Sequence, residues 1–201
     1  MPPRPLLLTL AAAALLPALA AAQARPADRA AFTRRLVAAA VARTQVKVRY
    51  VPDYVGIPYP GGDVPAGTGV CTDEIIRIYR AVGIDLQREV HEDIVRNRAA
   101  YPRVSGRPDT SIDHRRVPNL MAFLDRHGEP LARSDDPTDY RPGDLVTWDL
   151  AAGHIGMVVD RKDPSGRPLI LHNVGRGPMI EDALFAWPIT GHWRYAGRAR
   201  R

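Results

Sequence analysis

The stretch Gly69-Val70-Cys71-Thr72-Asp73 decides the fold, because it places the only cysteine of the chain directly before an apolar segment with helical periodicity. Ile75, Ile78, Tyr79 and Val82 follow at helical spacing, which predicts a helix whose first turn carries Cys71 on its inward face. Unpaired backbone N–H groups and the positive end of the helix dipole favour a thiolate there. The alternative is a small buried apolar residue, since free cysteine is among the most buried residue types.

The N-terminal residues 1–24 are typical of a secretory signal peptide. A basic start at 1–4 precedes an apolar run at 6–19, and Ala22-Gln23-Ala24 is a small-x-small site, so we expect cleavage after Ala24. The run is short for a membrane span and contains Pro17, so we expect no membrane anchor after cleavage. The mature protein is therefore expected to be periplasmic or secreted, where a lone thiol is buried or used.

The rest of the chain is expected to form one domain. Residues 25–49 form an N-terminal helix and lead-in, residues 50–201 form the main domain, and no internal repeat argues for a second one. The formal net charge is +6, but aromatic and basic residues are not interleaved as they are in single-strand binders. We expect no nucleic-acid partner, and the oligomeric state is left open.

Apolar periodicity predicts helices first and strands afterwards. The predicted helices cover residues 26–44, 71–83, 86–97 and 118–128. The predicted strands cover residues 145–149, 154–160, 169–173 and 191–197, and residues 45–51 are expected to form a short strand or an extended lead-in. This order predicts the α+β class, with helices packed against one antiparallel sheet.

Two neighbouring predicted strands each carry a histidine near a strand end. Strand alternation puts His154 on a face with Gly156, and His172 on a face with Ile170. If the Cys71 helix packs across that sheet, one imidazole can reach the sulfur and the other can orient the first. That arrangement is what a cysteine nucleophile needs, although a strand histidine can also be purely structural.

These motifs together resemble the NlpC-type cell-wall cysteine peptidases. The shared series is a cysteine at a helix start, Pro-Gly-Asp at 142–144, His-Ile-Gly-Met-Val at 154–158 and Leu-His-Asn at 171–173. More closely, four segments resemble the bacterial exported family catalogued as domain of unknown function 1287. They are Gly61-Gly62-Asp63-Val64-Pro65, Gly69-Val70-Cys71-Thr72-Asp73, residues 112–120 (IDHRRVPNL) and Gly191-His192-Trp193.

The resemblance implies a papain-like, circularly permuted NlpC-type fold, with residues 50–201 as a cysteine hydrolase domain. It implies Cys71 as nucleophile, His154 as general base and His172 as the orienting group, and Tyr59 corresponds to a tyrosine near the oxyanion. The implied substrate is peptidoglycan or another amide or acyl compound, and neither a cofactor nor a metal is expected. The superfamily usually has Asp-Cys-Ser-Gly at the nucleophile, where this chain has Val70-Cys71-Thr72-Asp73.

Several alternatives stay open at this point. Asp73 lies in the first helical turn, where a carboxylate offsets the dipole but opposes thiolate formation. His114 and Arg115 either recognise a substrate carboxylate or form a buried ion pair. Asn173 replaces His172 as the orienting residue if the strand register differs by one. A non-catalytic envelope-binding module, a thiol acyltransferase and a zinc site compete with the hydrolase hypothesis.

Overall fold

The computed structural model describes residues 26–198 of the chain. The predicted signal peptide and its cleavage site lie outside the described residues. Within residues 26–198, no helix has both the length and the apolarity that a membrane crossing requires.

The longer helices form where apolar periodicity predicts them. They are α1 (Pro26–Arg43), α2 (Cys71–Ala81), α3 (Leu86–Asn97) and α4 (Val117–His127). Local capping sets their ends: the Asp85 side chain accepts a hydrogen bond from the Arg88 N–H at the start of α3, and Pro118 lies in the first turn of α4. The predicted helices are confirmed to within two residues at each end.

The strands form one large antiparallel sheet and one small parallel pair. The pair is β1 (Arg49–Tyr50) with β2 (Thr68–Gly69). The sheet contains β3 (Glu129–Pro130), β4 (Leu145–Trp148), β5 (His154–Lys162), β6 (Pro168–His172), β7 (Met179–Glu181) and β8 (Ile189–Arg194). Its strand order is β3-β8-β4-β5-β6-β7. Of the short strand or extended lead-in predicted over 45–51, only Arg49 and Tyr50 form a strand, because only these two residues pair with β2.

The two faces of the large sheet bury different side chains. The face towards the helices carries Leu145, Ile155, Met157, Val159, Leu171 and Trp193. The opposite face carries Val146, Trp148, Val158 and Ile170, and Tyr140, Ala183 and Leu184 pack on it. Burying one large aliphatic or aromatic side chain stabilises by about 1.5–3 kcal/mol, so the helix-facing core fixes where α2 lies. The predicted α+β class is confirmed.

A buried ion network attaches α1 to α2. Glu74 is fully buried, and its Oε2 lies 2.6 Å from Arg43 Nε while its Oε1 lies 3.3 Å from Arg77 Nη1. A buried carboxylate is tolerated only when it is paired in this way. The network therefore holds the helix that carries the cysteine against the N-terminal helix.

Candidate active site

Cys71 is the first residue of α2, and only 4% of it is exposed. Three groups stabilise negative charge on its Sγ: the backbone N–H groups of Ile155 and Thr72, and the hydroxyl of Tyr50. The Ile155 N–H belongs to the peptide that joins His154 to Ile155. The thiol therefore lies at the beginning of β5, one peptide from the predicted general base.

Burial dominates the electrostatics of this thiol. It raises the pKa of Cys71 to about 11, and the neighbouring Asp73 carboxylate adds to the increase. The helix N-terminus and the nearby donors offset only part of this effect. The resting form at neutral pH is therefore the thiol, in contrast to the thiolate that the helix N-terminus alone predicts.

A bidentate ion pair fixes the first turn of α2. Arg115 Nε and Nη2 lie 2.8 Å and 3.0 Å from the two Asp73 carboxylate oxygens, and both side chains are buried. Asp73 Oδ2 also accepts a hydrogen bond from the Val70 N–H at 2.7 Å, and the Thr72 hydroxyl donates to the Arg115 carbonyl at 2.9 Å. Of the two alternatives for Arg115, the structure shows the buried ion pair.

The two predicted histidines contact each other. His154 Nε2 lies 2.8 Å from His172 Nδ1, and both residues are buried. Burial lowers the pKa of His154 to about 4, and the neighbouring His172 adds to the decrease. Burial also lowers the pKa of His172, against an opposing effect of Glu181. Both imidazoles are therefore neutral at pH 7.

The histidines project from the sheet face opposite to the helices. α2 packs instead on the face of Ile155, because the apolar side chains of β5 match its own apolar stripe. The sequence leaves open which face of the sheet α2 covers, and the structure shows that it is the face of Ile155.

Close packing holds the histidine pair in place. A Cβ added to Gly156 would lie 2.7 Å from Ile170 Cγ2, 2.9 Å from the Leu171 carbonyl oxygen and 3.2 Å from His172 Cβ. Only glycine fits this position, as the sequence predicted. The rings of Trp148 and Trp187 lie 5.7 Å and 5.8 Å from the His154 ring, and His154 is buried.

Glu181 extends the chain of polar contacts beyond His172. Its Oε1 lies 2.8 Å from His172 Nε2, and its Oε2 lies 3.2 Å from Arg176 Nη2. The sequence pattern does not indicate Glu181, because β7 is too short to show alternation. The observed register places it near His172, since Met179, two residues before Glu181, pairs directly with His172.

The structure places Tyr50 beside the thiol and Tyr59 beside His91. Tyr59 is 40% exposed, and its ring lies edge-on to His91 at 4.9 Å. Tyr50 is the tyrosine whose hydroxyl interacts with Cys71, and burial raises its own pKa to about 12. Tyr50, and not Tyr59, is therefore the tyrosine that lies at the thiol.

The remaining predicted residues support the site without entering the histidine pair. His114 is buried beside Arg115, and burial lowers its pKa to about 3. The Asn173 side-chain oxygen accepts a hydrogen bond from the Gly175 N–H at 3.1 Å, while its buried Nδ2 has no partner within the described residues. His172, and not Asn173, contacts His154.

No group of three or more histidine, cysteine, aspartate or glutamate side chains within residues 26–198 is arranged to hold a metal ion. The zinc hypothesis for Cys71, His154 and His172 gains no support from this geometry. The histidine nitrogens that face each other form a hydrogen bond instead.

The cysteine helix precedes the antiparallel sheet in the chain, and the neighbouring strands β5 and β6 of that sheet carry the two histidines. A solved structure, that of NlpC1 from Trichomonas vaginalis, is similar over 82% of this chain, with a TM-score of 0.45 and 16% sequence identity. This chain covers 44% of the length of that protein.

Sequence comparison adds a family and a relative. The uncharacterized protein YijF of Escherichia coli (strain K12) is 48% identical over 166 residues, which covers 80% of this chain and 81% of YijF. The family model described as "Domain of unknown function (DUF1287)" matches residues 37–195. The chain therefore belongs to the DUF1287 family.

Proposed function

We propose that this protein is a cysteine hydrolase that cleaves an amide bond, in the periplasm or outside the cell. The observation that carries the proposal is the position of a helix-terminal cysteine at the peptide that follows His154, whose ring is hydrogen-bonded to His172. The peptides of peptidoglycan are the substrate class that the resemblance to the NlpC-type peptidases favours.

His154 is the base in this proposal. Its Nε2 faces His172, so Nδ1 is the nitrogen left for the thiol. Nδ1 is also the ring nitrogen nearer to the backbone, and the Cys71 sulfur lies at the peptide that follows His154. The neutral imidazole can accept a proton from the neutral thiol, so no resting ion pair is required.

The reaction then follows the usual course for a cysteine nucleophile. As Sγ bonds to the amide carbon, its proton passes to His154 Nδ1 and the carbonyl oxygen becomes an oxyanion. Collapse of this intermediate breaks the C–N bond, and the leaving amine takes the proton from Nδ1. Water then hydrolyses the thioester, with His154 again accepting a proton.

Tyr50 is the side chain that we assign to the oxyanion. Its hydroxyl donates towards Sγ in the resting site, and the raised pKa keeps it protonated. A hydroxyl beside the attacking atom can turn to the oxygen on which charge develops. Loss of one such donor typically lowers kcat by a factor of about 10²–10³.

The proposal is tested with peptidoglycan fragments and a panel of acyl donors, by measuring the intact mass of the protein for an adduct on Cys71. We expect an adduct in the native sequence and none in Cys71→Ser or His154→Ala. His91→Ala is the matched control, because His91 lies on α3 against Tyr59. An adduct that forms equally in His154→Ala would contradict the role of His154.

The second candidate function is a non-catalytic binding module of the same fold. The burial of the thiol favours it, since a pKa of about 11 describes an inert resting cysteine. Binding of peptidoglycan without any adduct, by a correctly folded protein, would select this candidate. An adduct that is released to an added amine rather than to water would indicate an acyltransferase.

A further inference from the structure

We propose that Glu181 is a positioning residue that sets which ring nitrogen of each active-site histidine carries a proton. This inference rests on the proposed function, in which His154 is the base for Cys71. Glu181 lies on the short strand β7, away from the reacting atoms, and acts through His172. Neither the resemblance nor the sequence pattern pointed to it.

The first step is the contact between Glu181 and His172. The Oε1 atom of Glu181 lies 2.8 Å from Nε2 of His172. An ionised carboxylate can only accept a hydrogen bond, so Nε2 of His172 must carry the proton. Arg176 occupies the other carboxylate oxygen at 3.2 Å, which keeps Oε1 turned to the ring.

The proton position on His172 then determines the proton position on His154. A neutral imidazole has one N–H group and one lone pair, so with Nε2 protonated the Nδ1 atom of His172 is an acceptor. His154 Nε2 lies 2.8 Å from this acceptor and must therefore carry the proton in that hydrogen bond. The lone pair of His154 is thus placed on Nδ1, the nitrogen that the mechanism requires as base.

Removal of the Glu181 carboxylate allows the opposite placement of protons on the two histidines. His172 could then donate from Nδ1, and His154 would accept through Nε2 and carry its proton on Nδ1. In that form His154 offers the thiol an N–H group and cannot accept its proton. The carboxylate also lies close enough to offset the positive charge that the histidine pair gains when the thiol proton arrives.

The structure supplies a matched pair of variants. Glu181→Leu removes the acceptor, while Asp182→Asn removes the next carboxylate along the chain, which pairs with Arg167 at 3.1 Å and lies on an exposed loop. The full protein is labelled with ¹⁵N-histidine, and ring ¹H–¹⁵N correlation spectra at pH 7 identify the protonated nitrogen. Single His→Gln variants assign the signals.

In the native sequence and in Asp182→Asn, both His154 and His172 are expected to carry the proton on Nε2. In Glu181→Leu, a second form with protonated Nδ1 is expected, with kcat about tenfold lower and KM unchanged. A proton on Nδ1 of either histidine in the native sequence would overturn the inference. So would an unchanged proton pattern in a folded Glu181→Leu variant.

The spectra need no substrate, so the proposed role of Glu181 and the proposed hydrolase function are tested independently. The absence of any Cys71 adduct would reject the hydrolase function and leave the proton pattern as measured. A wrong proton pattern would reject the role of Glu181 even if the adduct forms.

Discussion

Raising the pH is expected to accelerate alkylation of Cys71 with a midpoint near pH 11. The physical reason is desolvation: the thiolate would lie in a site that is closed to water, and burial raises the pKa of Cys71 to about 11. An ordinary cysteine thiol has a pKa of about 8.5. The expected titration therefore lies well above that of a free thiol.

The magnitude follows from the difference between the two pKa values. The shift from the reference value of 9.0 to about 11 is two units, since 11 − 9 = 2. At pH 7.5 the buried site thus holds about a hundredfold less thiolate than a thiol with the reference pKa of 9.0. The alkylation rate at neutral pH should fall by at least this factor relative to the same protein in denaturant.

The assay is the rate of modification by iodoacetamide between pH 6 and about pH 12, followed by intact mass. The chain has one cysteine, so the mass increments that are lost in Cys71→Ser report Cys71. Tyr50→Phe removes a donor that stabilises the thiolate, so its midpoint should rise further. Tyr54→Phe is the control, since Tyr54 is exposed and its hydroxyl contacts Asp109 instead.

The midpoint of the pH profile, and not the absolute rate, decides the outcome, because poor access of the reagent lowers the alkylation rate by the same factor at every pH. A midpoint below about pH 8 in the folded protein would refute the reasoning from burial. It would mean that the helix N-terminus and the imidazole outweigh desolvation and that the resting site holds a thiolate.

Three further predictions concern stability. Burial lowers the pKa of His114 to about 3. As the pH drops below 6.5, this histidine is protonated in the unfolded chain but not in the folded protein, so the free energy of unfolding should fall. At pH 5 this histidine should lower the free energy of unfolding, measured by urea titration, by about 2 kcal/mol. His114→Gln should remove this contribution. If the free energy of unfolding of that variant depends on pH as steeply as in the native sequence, His114 is not the group responsible. Arg115→Met leaves Asp73 buried without its partner and should cost about 3–5 kcal/mol, whereas a cost below 1 kcal/mol would show that the ion pair is dispensable. Gly156→Ala should lower the melting temperature and shift the ring signals of His172, because its Cβ meets backbone and side-chain atoms; a native melting temperature would contradict this.

Most of the architecture was predictable because its causes are local. Helix periodicity and caps lie within a few residues of each other, so α2 and α3 could be placed to within two residues from sequence. The strand β7 could not, because its three residues carry no measurable alternation. The length of β1 could not be predicted for a related reason, since it depends on pairing with β2 across a long loop.

The site divides in the same way. Strand alternation and the positions of strand ends predicted that His154 and His172 lie near each other, because one hairpin separates them. The Asp73–Arg115 ion pair joins residues 42 positions apart, and sequence could only leave it as one of two alternatives. The protonation state of Cys71 could not be predicted from the sequence either. The helix terminus that favours the thiolate is a local feature, whereas the burial that favours the thiol is a property of the folded core.

The groups that surround the thiol come from distant parts of the chain, and this has a consequence for biogenesis. Cys71 precedes Ile155 by 84 positions (155 − 71 = 84), so the sulfur stays uncovered until the last third of the polypeptide has been made and β5 has docked. With no second cysteine in the chain, the uncovered sulfur can be oxidised or can form a disulfide-linked dimer with another chain. Refolding from denaturant should therefore give more monomer with a reductant present than without it, and the two yields should become equal in Cys71→Ser.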